Sequence, residues 1–109
     1  MSHSLVISVF LAPLFEELIF RGGLQGSLSA FLATYGTDVW TLILAVLIQS
    51  VVFALWHFNV LDPRTIRPIP FVLHFLGGVT LGYLTYRTNS IWPGVVIHAI
   101  GNMSAEMNT

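Results

Sequence analysis

Residues 12–23, Ala-Pro-Leu-Phe-Glu-Glu-Leu-Ile-Phe-Arg-Gly-Gly, set two adjacent carboxylates, Glu16 and Glu17, and a guanidinium, Arg21, directly after a run of apolar side chains. The whole chain of 109 residues is 55% hydrophobic and holds only four basic and five acidic side chains. Three of those charges fall between positions 16 and 21. Charge in apolar surroundings is costly unless it is paired or hydrogen-bonded. Any fold open to this chain must therefore bring partners to this stretch.

Composition says what the surroundings are. Mean hydropathy is +0.81, lysine is absent, and the arginines are Arg21, Arg64, Arg67 and Arg87. A soluble domain of this length carries far more surface charge, so the expectation is an integral membrane protein. A net charge of −1 without a basic run argues against nucleic acid as a partner. The lack of cysteine excludes disulfides, thiolate metal sites and a cysteine nucleophile. The apolar start at Leu5 has no basic flank and no small-residue cleavage signature, which argues against a cleaved signal peptide. The length fits one domain spanning residues 1–109.

Four hydrophobic segments predict an all-α, multi-pass bundle of about four helices. The first runs from about Leu5 to Phe20, with a continuation through Leu24 to Leu32. Pro13 either kinks it or begins a new helix. Tyr35-Gly-Thr-Asp38 reads as a stop, a turn and an N-cap. Val39 to Phe58 is long enough, at 1.5 Å per residue, to cross about 30 Å of hydrocarbon. Asn59 to Pro70 reads as a loop. Phe71 to Tyr86 carries Gly78 and Gly82, a small-xxx-small pair expected to pack within the bundle rather than form a dimer face. The last segment follows Pro93 to about Glu106, ahead of a frayed end at Asn108 and Thr109. With alternating directions, Tyr35, Trp40, Tyr86 and Trp92 fall at one membrane face and Trp56 at the other. Arg64 and Arg67 against Arg87 weakly favour the Asn59–Pro70 side as cytoplasmic.

The polar residues inside these segments have informative spacings. Glu17 and Arg21 are four apart with the acid first, the favourable order for a helical ion pair. Glu16 points about a hundred degrees away, so Glu17 is neutralised by Arg21 and Glu16 is left for chemistry. Phe53 and His57 share a helix face, as do His98 and Asn102. A carboxylate, two imidazoles and a carboxamide from interior faces can converge on one point. His74 lacks a spaced polar partner and reads as packing, and Gln49 reads as an interhelical hydrogen bond. Ser50 and Ser90 have no partners for a serine-histidine-acid arrangement.

These residues resemble the CPBP family of intramembrane proteases, which includes type II CAAX prenyl endopeptidases and the bacteriocin-processing or immunity (Abi) proteins. Glu16-Glu-Leu-Ile-Phe-Arg21 is similar to its first motif, E-E-x-x-x-R. Phe53-Ala-Leu-Trp-His57 resembles F-x-x-x-H, and His98-Ala-Ile-Gly-Asn102 resembles H-x-x-x-N. The likeness spans Ala12 to about Asn102. It implies a helical-bundle endopeptidase acting on a prenylated CAAX-type peptide, a leader or a membrane-protein segment, with a non-catalytic role in bacteriocin self-immunity or partner binding as the alternative. By the same likeness Glu16 is the general base, His57 helps to hold and activate the attacking water, and His98 and Asn102 stabilise the oxyanion. Glu17 and Arg21 give support, and Phe53 packs. Glu16, His57 and His98 also have the composition of a two-histidine, one-carboxylate zinc site, whereas a glutamate-activated water needs no metal. The expectation is no tightly held metal. Many members carry further membrane segments ahead of the first motif. Four short helices enclose little volume, so besides substrate and membrane lipid a second copy of the chain is a candidate partner.

Overall fold

The computed structural model describes residues 3–36 and 39–107, except for the side chains of His3, Ser4, Ser8 and Glu106. Four helical stretches make up the fold: residues 3–33, Val39–Trp56, Pro68–Thr88 and Trp92–Met107. No strand occurs among the described residues, and the all-α expectation holds.

The first helix runs without a break past Gly22 and Gly23, but it is not uniformly α. Two π segments, Ile7–Leu11 and Leu18–Gln25, flank the α segment Ala12–Glu17. A proline in a helix interior removes a donor and crowds the carbonyl four residues back. Here the π turn just before Pro13 takes up that mismatch, with the Ala12 N–H donating to the Ile7 carbonyl five residues earlier. Pro13 therefore neither breaks the helix nor begins a separate one.

The third helix begins at Pro68, earlier than the sequence suggested. Pro68 and Pro70 fall in the first turn, where backbone N–H groups have no partner in the helix to lose. The preceding loop is shorter and more ordered than its composition implies. It contains the 3₁₀ turn Pro63–Thr65, capped by Asp62, whose side chain accepts from the Arg64 backbone. The Arg64 guanidinium also binds both Asp62 carboxylate oxygens, at 2.9 and 3.1 Å, and holds that carboxyl below its usual range. Asn89, in the left-handed conformation at φ 53°, closes the third helix. The expected cap at Asp38 and the end at Asn108 and Thr109 lie outside the described residues.

Contacts show that neighbouring helices run antiparallel. Val46 meets Gly82, Gln49 meets Gly78 and His57 meets His74. Phe20 packs on Phe53 and Trp56. The fourth helix returns along the first, with Gly94 beside Glu17 and Ile91 beside Gly22. Tyr35, Trp40, Tyr86 and Trp92 consequently share one end of the bundle, and Trp56, Arg64 and Arg67 the other. The small pair on the third helix serves this packing. A Cβ on Gly78 would lie 3.0 Å from the Ser50 Cα, and one on Gly82 2.5 Å from both the Gln25 Oε1 and the Gln49 Nε2. Gln49 is the expected interhelical donor, reaching the Gly78 carbonyl at 2.9 Å.

The distribution of polarity is that of a protein in lipid. Glu17, Arg21, Gln25, Gln49 and Ser50 are buried, whereas apolar side chains such as Phe15, Ile19, Leu44, Val72, Leu73 and Ile97 are exposed. Val39–Trp56 and Pro68–Thr88 are long and apolar enough to cross a membrane.

Candidate active site

The site forms where the α segment Ala12–Glu17 meets the fourth helix. Gly94 makes the approach possible, because a Cβ there would stand 3.1 Å from the Glu17 Oε1. One turn further on, the His98 ring enters between the two adjacent carboxylates. Its Nε2 lies 3.2 Å from the Glu16 Oε2 and its Nδ1 3.0 Å from the Glu17 Oε2. The spacing argument gave the two glutamates different neighbours, and here it needs correction. One imidazole, 81 residues from Glu17 in sequence, joins both.

That geometry constrains protons. A neutral imidazole has one donor nitrogen and one acceptor, and ionised carboxylates only accept. With carboxylate oxygens facing both nitrogens, the Glu16–His98–Glu17 group needs one further proton, held by the ring or by a carboxyl. Glu17 is also paired with Arg21, Oε1 to Nε at 3.3 Å, and both side chains are fully buried. Glu16 is partly accessible, with 19% of its side chain exposed, so of the two carboxylates it is the one solvent or substrate can reach.

Phe53 holds the rest of the site together. The Arg21 guanidinium lies over its ring at 4.1 Å, a cation–π contact. Phe20, His57 and His98 meet the same ring edge-on, at 5.3, 4.7 and 5.9 Å between centroids. Phe53 is thus packing, as expected, but packing that touches the cation and both motif histidines. His57 directs its Nδ1 at the Phe53 carbonyl, 2.8 Å away. A carbonyl can only accept, so Nδ1 carries the hydrogen and Nε2 is left with a lone pair. Asn102 is half-buried one turn beyond His98 on the fourth helix.

His74 was missed. It stacks on His57 with centroids 3.8 Å apart and planes 10° from parallel, and so holds that ring in place. Its signal lay in its own helix, where His74, Gly78 and Gly82 are each four apart and share the face that meets the second helix. Gln25 was overlooked. It is buried, donates to the Gly82 carbonyl at 3.1 Å, and extends the Glu17, Arg21 series by one more step of four.

The family model for Rce1-like type II CAAX prenyl endopeptidases matches residues 2–104. The chain belongs to that family. No curated protein and no solved structure matches it. The matched range contains Glu16, Glu17, Arg21, Phe53, His57, His98 and Asn102.

The metal set does not assemble. Among the described residues no three His, Asp or Glu side chains gather as a metal ion requires. His98 turns its Nε2 to Glu16 and its Nδ1 to Glu17.

Proposed function

We propose that this chain is an intramembrane endopeptidase that hydrolyses a peptide bond near the membrane surface by means of a glutamate-activated water. The contact between Glu16 and His98, formed across the bundle and reachable from outside, is the observation that carries this reading. Glu16 takes a proton from the attacking water as the water oxygen bonds to the scissile carbonyl carbon. The Nε2 lone pair of His57 accepts a hydrogen bond from that water and orients it. Charge then builds on the carbonyl oxygen. The Asn102 amide supplies a donor for it, and the His98 Nε2–H supplies a second once Glu16 turns from it to the water. As the carbon–nitrogen bond breaks, the proton held at Glu16 passes to the leaving amine.

Glu17 and Arg21 support this chemistry from behind. Glu17 fixes the ring of His98 through Nδ1, and Arg21 balances the second carboxylate. The family match favours a prenylated CAAX-type peptide as substrate, and the exposed apolar flanks of a multi-pass bundle suit a lipidated chain delivered from the membrane.

Glu16→Gln tests the reading, since it keeps the shape and removes the base. Hydrolysis of a prenylated reporter peptide should fall by about 10²–10⁴-fold with helical content and abundance unchanged. Full activity in the variant would remove Glu16 from the mechanism. A wild-type chain inert towards both lipidated and leader peptides would favour partner binding, as in self-immunity.

A further inference from the structure

Strongly basic side chains are scarce here, and two of the four arginines, Arg64 and Arg67, stand at the end of the bundle where His57 leaves the second helix. The Arg64 fork is taken, with Nε and Nη2 on the two Asp62 oxygens at 2.9 and 3.1 Å. Arg67 is exposed, and among the described residues no hydrogen bond or ion pair engages its guanidinium. It stands just ahead of the third helix, extended at φ −106° and ψ 138°, and its side chain caps nothing there. Its carbonyl accepts from the Phe71 N–H at 3.0 Å, which ties its backbone to the first helical turn.

The face that begins at Arg67 leads to the candidate site. Phe71, His74 and Gly78 follow along one stripe of the third helix. His74 stacks on His57, the Phe58 ring meets His74 edge-on at 6.1 Å, and Phe58 and Phe71 lie 6.4 Å apart. Outward from His57 the order is therefore a histidine pair, two half-buried phenylalanines and a free cation. At 1.5 Å per residue, Arg67 stands about 10 Å beyond His74 along the helix axis.

A C-terminal C-a-a-X peptide has the same order of chemistry. Past its lipidated cysteine come two apolar residues and a last residue that ends in a free carboxylate. The lipid stays in the bilayer, whereas the carboxylate has to reach water or a cation. Three extended residues span about 10 Å, the distance from the histidine pair to Arg67. Resting on the peptidase reading, we propose that Arg67 recognises the C-terminal carboxylate of the substrate. The cysteine carbonyl lies beside His57, the two apolar side chains pass Phe58 and Phe71, and the carboxylate pairs with the Arg67 guanidinium at the membrane surface. Arg67 thus determines specificity, selecting peptides that end three residues past the cleaved bond, and takes no part in breaking it.

The test uses the full chain in a neutral detergent and two prenylated reporter peptides that differ only in ending as a carboxylate or a carboxamide. The wild type should favour the carboxylate by about five- to tenfold in kcat/KM, the scale of a bidentate arginine–carboxylate pair at a partly wet surface. The difference should lie in KM rather than kcat. Arg67→Gln should bring the carboxylate peptide down to the level of the amide, Arg67→Lys should keep part of the preference, and Arg64→Gln should keep all of it. Because the Arg67 side chain makes no cap, Arg67→Gln should match the wild type in helical content and Tm. Anisotropy of the two peptides on the Glu16→Gln chain adds a readout that needs no hydrolysis. A carboxylate preference there that disappears when Arg67→Gln is added supports the assignment even where the wild type cleaves neither peptide, an outcome that sinks the peptidase reading alone. Equal handling of the two peptides in hydrolysis and binding, a preference untouched by Arg67→Gln, or one lost equally in Arg64→Gln would each overturn the assignment.

Discussion

Arg21 and Glu17 are each other's main compensation for burial. Two ions in a low-dielectric interior lose hydration that their attraction only partly restores, so removing one is worse than removing both. Arg21→Met strands a buried carboxylate that, among the described residues, keeps His98 as its partner. It should destabilise the protein by about 3–5 kcal/mol. Glu17→Gln combined with Arg21→Met should recover most of that loss. Reversible unfolding in detergent of wild type, single variant and double variant measures the difference. A double variant no more stable than Arg21→Met would mean that the pair is not coupled. At this scale the motif spacings were a good guide to which side chains share a face: Glu17 with Arg21, Phe53 with His57, His98 with Asn102. They were a poor guide to which faces meet. Pairing Glu16 with His98, and His57 with His74, depends on how far each helix slides along its neighbour, and that is fixed by Gly94 and Gly78 rather than by the motif residues themselves.

Among the elements a single pattern recurs. Each helix carries a row of residues spaced by four that meets its neighbours: Glu17, Arg21 and Gln25; Gln49 and Phe53, continued by the exposed His57 just past the helix end; His74, Gly78 and Gly82; Gly94, His98 and Asn102. The polar rows carry groups that need partners, and the glycines remove the bulk that would keep those partners apart. The helices were readable because their apolar lengths are unambiguous. The π segments were not, since nothing in the residue types marks an i→i+5 register, and it took the packed structure to show that Leu18–Gln25 is wound in this way. The glycines on the rows should therefore behave unlike those off them. Gly82→Ala forces the Gln25 and Gln49 side chains from positions where they hydrogen-bond the third helix. It should cost about 1–3 kcal/mol. Gly77→Ala meets nothing within 4 Å and should gain up to about 1 kcal/mol from helix propensity. Unfolding midpoints of the two variants should move in opposite directions, and equal shifts would show that the row is not a packing seam.

For the molecule as a whole, the inversion of polarity is what lets so small a bundle hold a buried polar site. The bundle measures 46 × 33 × 18 Å, so its thinnest direction holds about two helix layers. Two layers bury few side chains, and this chain uses much of that space for Glu17, Arg21, Gln25, Gln49 and Ser50. In water such a fold would expose its apolar faces and lack a driving force to assemble. In lipid those faces are solvated, and the buried polar groups become the reason for the helices to associate. The antiparallel order then places the Asn59–Arg67 loop and the Asn89–Ile91 turn at opposite ends. A chain without cysteine allows this to be tested one position at a time. Leu61→Cys, at a site 92% exposed, and Arg87→Cys, exposed near the end of the third helix, can be reconstituted separately into sealed vesicles. A membrane-impermeant thiol reagent should label them from opposite sides, and detergent should make both fully reactive. The weak excess of arginine on the Asn59–Arg67 side assigns Leu61 to the cytoplasmic face. Labelling of both cysteines from one side would mean that the second and third helices do not each cross the bilayer, and the site would then have to lie at the membrane surface rather than within it.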